Sequence, residues 1–241
     1  MELTYTLIIC GIALAVVFCF CLAVANFAPE RFFDIFNKIN GEEMYANKTT
    51  KEFVEEFNAR EFSSLLRLHE TPTVAGDAYV QGGDLILSTN TLTSTGVASY
   101  ATLAHELGHA LQDRDSKKLT IKRVLHRISA IIGPFMFPAF IVGIILSAFG
   151  GDLLYYGIAL GVFGFLIFFL SVILKLFTIA IEKDASKKAI KLLQEYLDID
   201  KKQLKMAKKL LNSAKLTYWG SLFQTLLGWT FLTRNRKFYK N

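Results

Sequence analysis

Three long apolar runs dominate the chain, and polar, patterned stretches lie between them. Tyr5 to Ala28 is nearly uncharged, Ile128 to Phe149 carries no charge at all, and Leu153 to Ile181 is broken only by Lys175. Each is long enough to cross a bilayer as a helix. The second and third runs are joined only by Gly150-Gly151-Asp152, so they are expected to form a tight antiparallel hairpin. A fourth run, Leu216 to Leu232, is shorter and carries Thr217, Ser221, Gln224 and Thr225. Spanning, tilting and lying against the other helices all remain open for it. Pro29 is expected to close the first helix.

The polar stretches have periods of their own. From Glu30 to Leu68 the residues Phe53, Val54, Phe57, Phe62, Leu65 and Leu66 recur at roughly helical spacing among charged positions, which predicts an amphipathic helix. Between Pro72 and Ser88 the pattern turns strand-like. Thr73-Val74-Ala75, Ala78-Tyr79-Val80 and Leu85-Ile86-Leu87 flank the turn signal Gly82-Gly83-Asp84. A small hairpin is expected there; it either offers an edge to an extended peptide or simply packs. Ser99 to Asp115 reads as a helix, and Asp115 to Arg127 as a polar, basic linker.

Composition sharpens this picture. At 241 residues, 52% hydrophobic and a mean hydropathy of +0.36, the chain is too apolar for an ordinary soluble domain. No Lys or Arg precedes the first run, so it is read as a retained anchor rather than a cleaved signal. Cys10, Cys19 and Cys21 all fall inside it. With no C-x-x-C, any metal must be held by His and carboxylate. The net charge of +6 comes from lysines at 183–191 and 201–215 and a basic tail at 234–240. Beside apolar helices, such clusters mark the cytoplasmic side and an anionic leaflet, making membrane lipid a partner. No aromatic platform accompanies them, which argues against nucleic acid. The tail conflicts with this orientation if the fourth run spans.

The chemistry lies in Ala104 to Asp113, which read AHELGHALQD. His105, Glu106 and His109 form H-E-x-x-H. On a helix, positions i and i+4 share a face, so two imidazoles can turn toward one Zn²⁺ while the intervening Glu stands beside it as a general base. An isolated match of this length also arises by chance. Here, however, Thr102, Leu103, Ala104, Leu107, Ala110 and Leu111 supply a buried helical frame, and Gly108 leaves room for a close neighbour. His69 and His126 lack any partner pattern and are read as structural.

Two histidines leave the metal short of a protein ligand. The continuation H-x-x-G-x-x-H is absent after His109, and Asp113 shares a helix with both histidines, a poor geometry for a third ligand. Glu182 and Asp184 remain as candidates. The apolar hairpin returns the chain to the side it left, so both share a side with the H-E-x-x-H helix.

AHELGHALQ, the apolar hairpin, the Glu182–Ala189 element and Leu216-Thr217-Tyr218 together resemble the bacterial membrane neutral zinc metallopeptidases typified by YugP. The Glu182 element also resembles the E-x-x-A-D segment of HtpX-like membrane proteases. That resemblance implies Glu182 as the third zinc ligand. The later Asp of that pattern falls at Ser186, so its supporting role passes to Asp184 or is lost. Gly76, Asp77 and Tyr79 resemble the family's G-x-x-D-x-Y region, without its His-Tyr pair. Tyr218 is a candidate to hydrogen-bond the oxyanion, or else an interfacial aromatic beside Trp219.

The expected protein is mainly α: an integral membrane helical protein with a zincin-like H-E-x-x-H helix and a small β-hairpin. Its expected parts are an anchor (1–28), a catalytic domain (29–127), a transmembrane hairpin (128–181), a cytoplasmic segment with the third ligand (182–215), and a fourth membrane segment with tail (216–241). The expected activity is that of a gluzincin-like zinc endopeptidase of the cell membrane, active on peptide or protein from the cytoplasmic side. Zn²⁺ is held by His105, His109 and Glu182, and Glu106 is the base. The competing expectation is a non-catalytic membrane scaffold with structural zinc.

Overall fold

The computed structural model describes residues 2–44, 48–72, 78–80 and 82–226. In chain order it contains α1 (Glu2–Asn40), α2 (Thr50–Phe62), β1 (Arg67–Thr71), β2 (Ala78–Val80), β3 (Asp84–Ser88), α3 (Thr89–Thr93), α4 (Val97–Asp115), α5 (Lys118–Ile132), α6 (Met136–Ala148), α7 (Gly151–Tyr196) and α8 (Lys201–Leu226). Two compact units result. In their described parts, one holds residues 2–27, 122–178 and 218–226, and the other 28–121 and 179–217.

The first unit is apolar. Among the described residues, three helices are long and apolar enough to cross a membrane: Val16–Asn40, Lys118–Ala148 and Gly151–Tyr196. Exposed Val16, Ile144, Phe149 and Tyr155 give it the kind of surface that only lipid or another protein can cover. Gly150 and Gly151 both adopt positive φ (70° and 56°), which lets the chain reverse between α6 and α7 within two residues. A Cβ at Gly143 would stand 2.9 Å from the Gly157 carbonyl, so small residues set the close approach of these two helices. Cys19 and Cys21 are free thiols.

Two expectations are corrected here. Pro29 does not end the first helix; it lies inside α1. Proline removes the N–H that would bond the Ala25 carbonyl, and the Gln224 amide of α8 comes within 3.5 Å of that oxygen instead. The stretch expected to be a basic linker is largely helical as α5, and a 3₁₀ turn at Gly133–Phe135, opened by Pro134, separates it from α6. α8 carries the fourth apolar run as far as Leu226. The rest of that run and the basic tail lie outside the described residues.

The second unit is an α+β body. α2 opens on a capping box: Thr49 accepts from the Glu52 N–H at 3.2 Å, and the Glu52 carboxylate accepts from the Thr49 N–H at 2.7 Å. The helix expected to run to Leu68 stops at Phe62. Ser63 and Ser64 take left-handed φ (48° and 63°), and the Asn58 side chain pairs with both the N–H and the C=O of Leu66 at 2.9 Å. The chain is thereby turned into β1, a strand the helical periodicity concealed. The sheet order is β1-β3-β2, with β1 parallel and β2 antiparallel to β3. The expected hairpin is thus β2–β3, turning at Gly82-Gly83, with β1 added on its far side. The strand expected at Thr73–Ala75 lies outside the described residues.

His69 has a structural partner. Arg67 grips Asp84 at 2.6 and 3.0 Å, and His69 Nε2 lies 3.0 Å from the same carboxylate, which these contacts push down to about 2. The core gathers Phe53 and Phe57 of α2, Leu85 and Leu87 of β3, Tyr100, Leu103 and Leu107 of α4, Leu193 of α7 and Leu210 of α8. At its margin, Arg114 donates to Glu61 at 2.9 Å and Tyr196 donates to the other oxygen of Glu61 at 2.8 Å, linking α4 and α7 to α2.

Those two bonds hold the Glu61 carboxyl below its ordinary 4.5. Its contribution is therefore complete above that value and is lost as pH falls through the lower, folded-state value. The stability of the wild type should fall more steeply below pH 4.5 than that of Glu61→Gln, by under about 1 kcal/mol because the pair is partly solvated. Parallel acid limbs in a thermal-shift series would contradict this.

Candidate metal centre

α4 begins at Val97, two residues before its expected start, and is the most enclosed helix of its unit. Ala98, Tyr100, Ala101, Leu103, Ala104, Leu107 and Ala110 are wholly buried. Its apolar stripe therefore wraps most of the helix, and the polar groups left in the interior are those of the motif. Gly108 has a specific task. A Cβ there would stand 2.6 Å from the Ala185 carbonyl, so only glycine lets α7 approach α4 this closely. Ala185, itself fully buried, is three residues beyond Glu182, and the contact brings that carboxylate to the histidines.

One ligand atom each from His105, His109 and Glu182 fall within 4.8 Å of one another. Glu182 Oε2 is 3.2 Å from His105 Nε2 and 3.3 Å from His109 Nε2, and the imidazole rings meet edge to face at 4.8 Å. Glu182 is 2% exposed and His109 8%. Glu106, one position round the helix from His105, is half-buried.

The surrounding hydrogen bonds assign both imidazole tautomers. The Gln112 amide nitrogen donates to the Ile181 carbonyl at 2.9 Å and to Asp184 at 2.7 Å, so its oxygen faces His109 Nδ1 at 2.9 Å and must accept. The Ser186 hydroxyl donates to the Glu182 carbonyl at 2.9 Å, leaving its oxygen to accept from His105 Nδ1 at 3.4 Å. Both Nδ1 atoms then carry hydrogen, so in the neutral imidazoles both Nε2 lone pairs face the Glu182 carboxylate. Three acceptors facing one another repel, and a cation at their centre turns that repulsion into bonding. Zinc bonds of about 2.0–2.1 Å in a tetrahedron give a ligand–ligand edge of about 3.3 Å, which the two N···O separations match. Two imidazoles and one carboxylate, without thiolate, also form a donor set suited to zinc.

Of the two carboxylates left open by the residues alone, Glu182 joins the histidines. Asp184 stands behind them, bonded to Gln112 and 3.8 Å from Lys188. The support expected from Asp184 thus reaches His109 through Gln112, while Ser186 is placed at His105. Gln112, wholly buried, is the residue that motif reading passed over. Its i+3 spacing from His109 was the available signal. Asp113 accepts from the Gly82 N–H at 3.0 Å and so holds the β2–β3 turn. Tyr218 belongs to the apolar unit. Gly76 and Asp77 lie outside the described residues.

A family model described as "Putative neutral zinc metallopeptidase" matches residues 6–233, nearly the whole chain. No curated protein and no solved structure gives a match.

Two substitutions test how the centre is held. Gly108→Ala should weaken zinc binding without touching a ligand, because the Ala185 backbone must retreat and carries Glu182 with it. Gln112→Ala should lower zinc affinity roughly 10–100-fold by freeing the His109 ring and leaving Asp184 without its amide partner. Chelator competition measures both, and wild-type affinity in both variants would contradict the arrangement.

Proposed function

The chain belongs to this neutral zinc metallopeptidase family, and we propose that it is a membrane-embedded endopeptidase whose Zn²⁺ is held by His105, His109 and Glu182, with Glu106 as general base. The observation that carries the proposal is the convergence of three acceptor groups from α4 and α7 on one point, with a further carboxylate one helix position away. A peptidase of this family acts on peptide or protein, and its zinc is a resident cofactor.

Zinc supplies a Lewis acid that polarises the scissile carbonyl and makes water nucleophilic near neutral pH. The chain does the rest. His105 and His109 present Nε2 because Ser186 and Gln112 occupy their Nδ1 positions. Glu182 brings a negative charge into a nearly dry site, which lowers the net charge of the centre. Consecutive helix residues diverge by about 100°, so Glu106 stands beside the ligand set rather than in it. From there it accepts the proton of the attacking water and later delivers it to the leaving amine. Among the described residues only three groups form the cluster, which leaves a coordination position for water and substrate, as catalytic sites require and closed structural sites do not.

The cytoplasmic side of the cell membrane is proposed for the centre. Lys183, Lys187, Lys188 and Lys191 follow the third apolar run directly, and positive residues are retained on that side. Hairpin parity assigns α4 to the same side.

Glu106→Gln should retain one zinc per chain while peptide hydrolysis falls about 10²–10⁴-fold. Glu182→Ala should lose the metal itself. Zinc content and cleavage of a denatured protein substrate, measured on the same detergent-purified samples, separate the two effects. Undiminished cleavage by Glu106→Gln would overturn the assignment of the base.

A further inference from the structure

A second polar site lies within the α+β unit, between α1 and α8. A cleft of about 370 Å³ is lined by Arg31 and Ile35 on one side and by Lys205, Lys208, Lys209 and Asn212 on the other, with Ser213 and Leu216 at its end. The spacing explains the convergence. Residues 205, 208, 209, 212, 213 and 216 form one i, i+3, i+4, i+7 stripe of α8, and residues 31 and 35 one stripe of α1. Four cations therefore share a small volume with no acidic residue in its lining. Among the described residues none of the four has a carboxylate within 4.0 Å, whereas Lys202 on the same helix reaches Glu42 at 3.5 Å. Like charges held together without counter-charge repel, and the fold retains them here.

Neighbouring groups point the same way. Lys215 donates to the Asn212 side-chain oxygen at 2.9 Å, and Asn212, which lines the cleft, has an amide nitrogen to offer as a further donor. Burial, then the nearby Lys183 and Lys187, lowers the Lys215 ammonium from its ordinary value, and those two lysines of α7 add to the positive charge near this helix. The Ser213 hydroxyl is spent on the Leu210 carbonyl at 2.6 Å. Guanidinium, three ammonium groups and an amide N–H form a donor set for a phosphate oxyanion. Ile35 and Leu216 add an apolar wall that a free phosphate would not use but the acyl chains of a lipid would. Both sides of the cleft are also sequence neighbours of the apolar unit, since Arg31 is one helical turn beyond Phe27 and Leu216 just precedes Tyr218.

We propose that this cleft binds the phosphate headgroup of an anionic phospholipid, at a site separate from the metal centre. Full-length protein in neutral detergent should be titrated with short-chain phosphatidic acid, with phosphatidylcholine and with inorganic phosphate, using native mass spectrometry and thermal shift. Phosphatidic acid should bind at one tight site and raise the thermal midpoint, with little effect from the other two. Lys208→Glu/Lys209→Glu should weaken that binding about thirtyfold. Lys51→Glu/Lys117→Glu, an equal charge change elsewhere, should leave it unchanged. Wild-type zinc content shows that each variant is folded, and Lys208→Gln/Lys209→Gln replaces the first pair if reversal disturbs folding. Equal binding of phosphatidylcholine, equal loss in the control pair, or saturation by inorganic phosphate alone would each overturn the proposal.

Discussion

A carboxylate withdrawn from water must find positive charge, and Glu182 is 2% exposed. Two imidazole nitrogens lie 3.2 and 3.3 Å from it, each with a lone pair in the neutral ring whose other nitrogen donates. With both imidazoles neutral, three acceptors face one another, and a cation held between them relieves that repulsion. The close contact of Gly108 with Ala185 holds the three groups together. Metal and helix packing are therefore coupled. The backbone approach that a glycine permits is the same approach that completes the ligand set.

α7 carries much of this. It is a single helix of 46 residues, whose first part is apolar on most faces and whose later part packs Leu192 and Leu193 into the core of the α+β unit. The metal-facing carboxylate falls where the composition changes. Anchoring a ligand on a rigid helix rather than a loop fixes its position relative to α4 at small entropic cost, as a site that must hold sub-ångström geometry requires. The outer shell serves the same end. Gln112 makes three bonds, to His109, the Ile181 carbonyl and Asp184, so one buried amide both orients a ligand and ties α4 to α7.

Much of this was legible before the fold. H-E-x-x-H spacing on an apolar frame located α4 because side-chain direction in a helix follows from residue number alone. The apolar runs located the long helices for the same reason. Glu182 and Asp184 could not be separated by spacing, since both lie on α7 and only its rotation decides which faces the histidines. The longer misses have physical causes. Leu65 and Leu66 continued a helical period, yet two serines with positive φ and the Asn58 side chain broke it and produced β1. Pro29 was expected to stop a helix, but the carbonyl it orphaned met a donor from a segment almost 200 residues away. The first break lies in residues 58–66 themselves, whereas the donor that meets the Ala25 carbonyl is not written in the sequence near Pro29.

Zinc-edge X-ray absorption of the wild type beside Glu182→Ala reads the identity of the ligands. The expected wild-type shell is two imidazoles with oxygen donors at about 2.0–2.1 Å and no sulfur, and the Glu182→Ala protein should no longer retain zinc through purification. An unchanged spectrum at full occupancy in Glu182→Ala would contradict this ligand set.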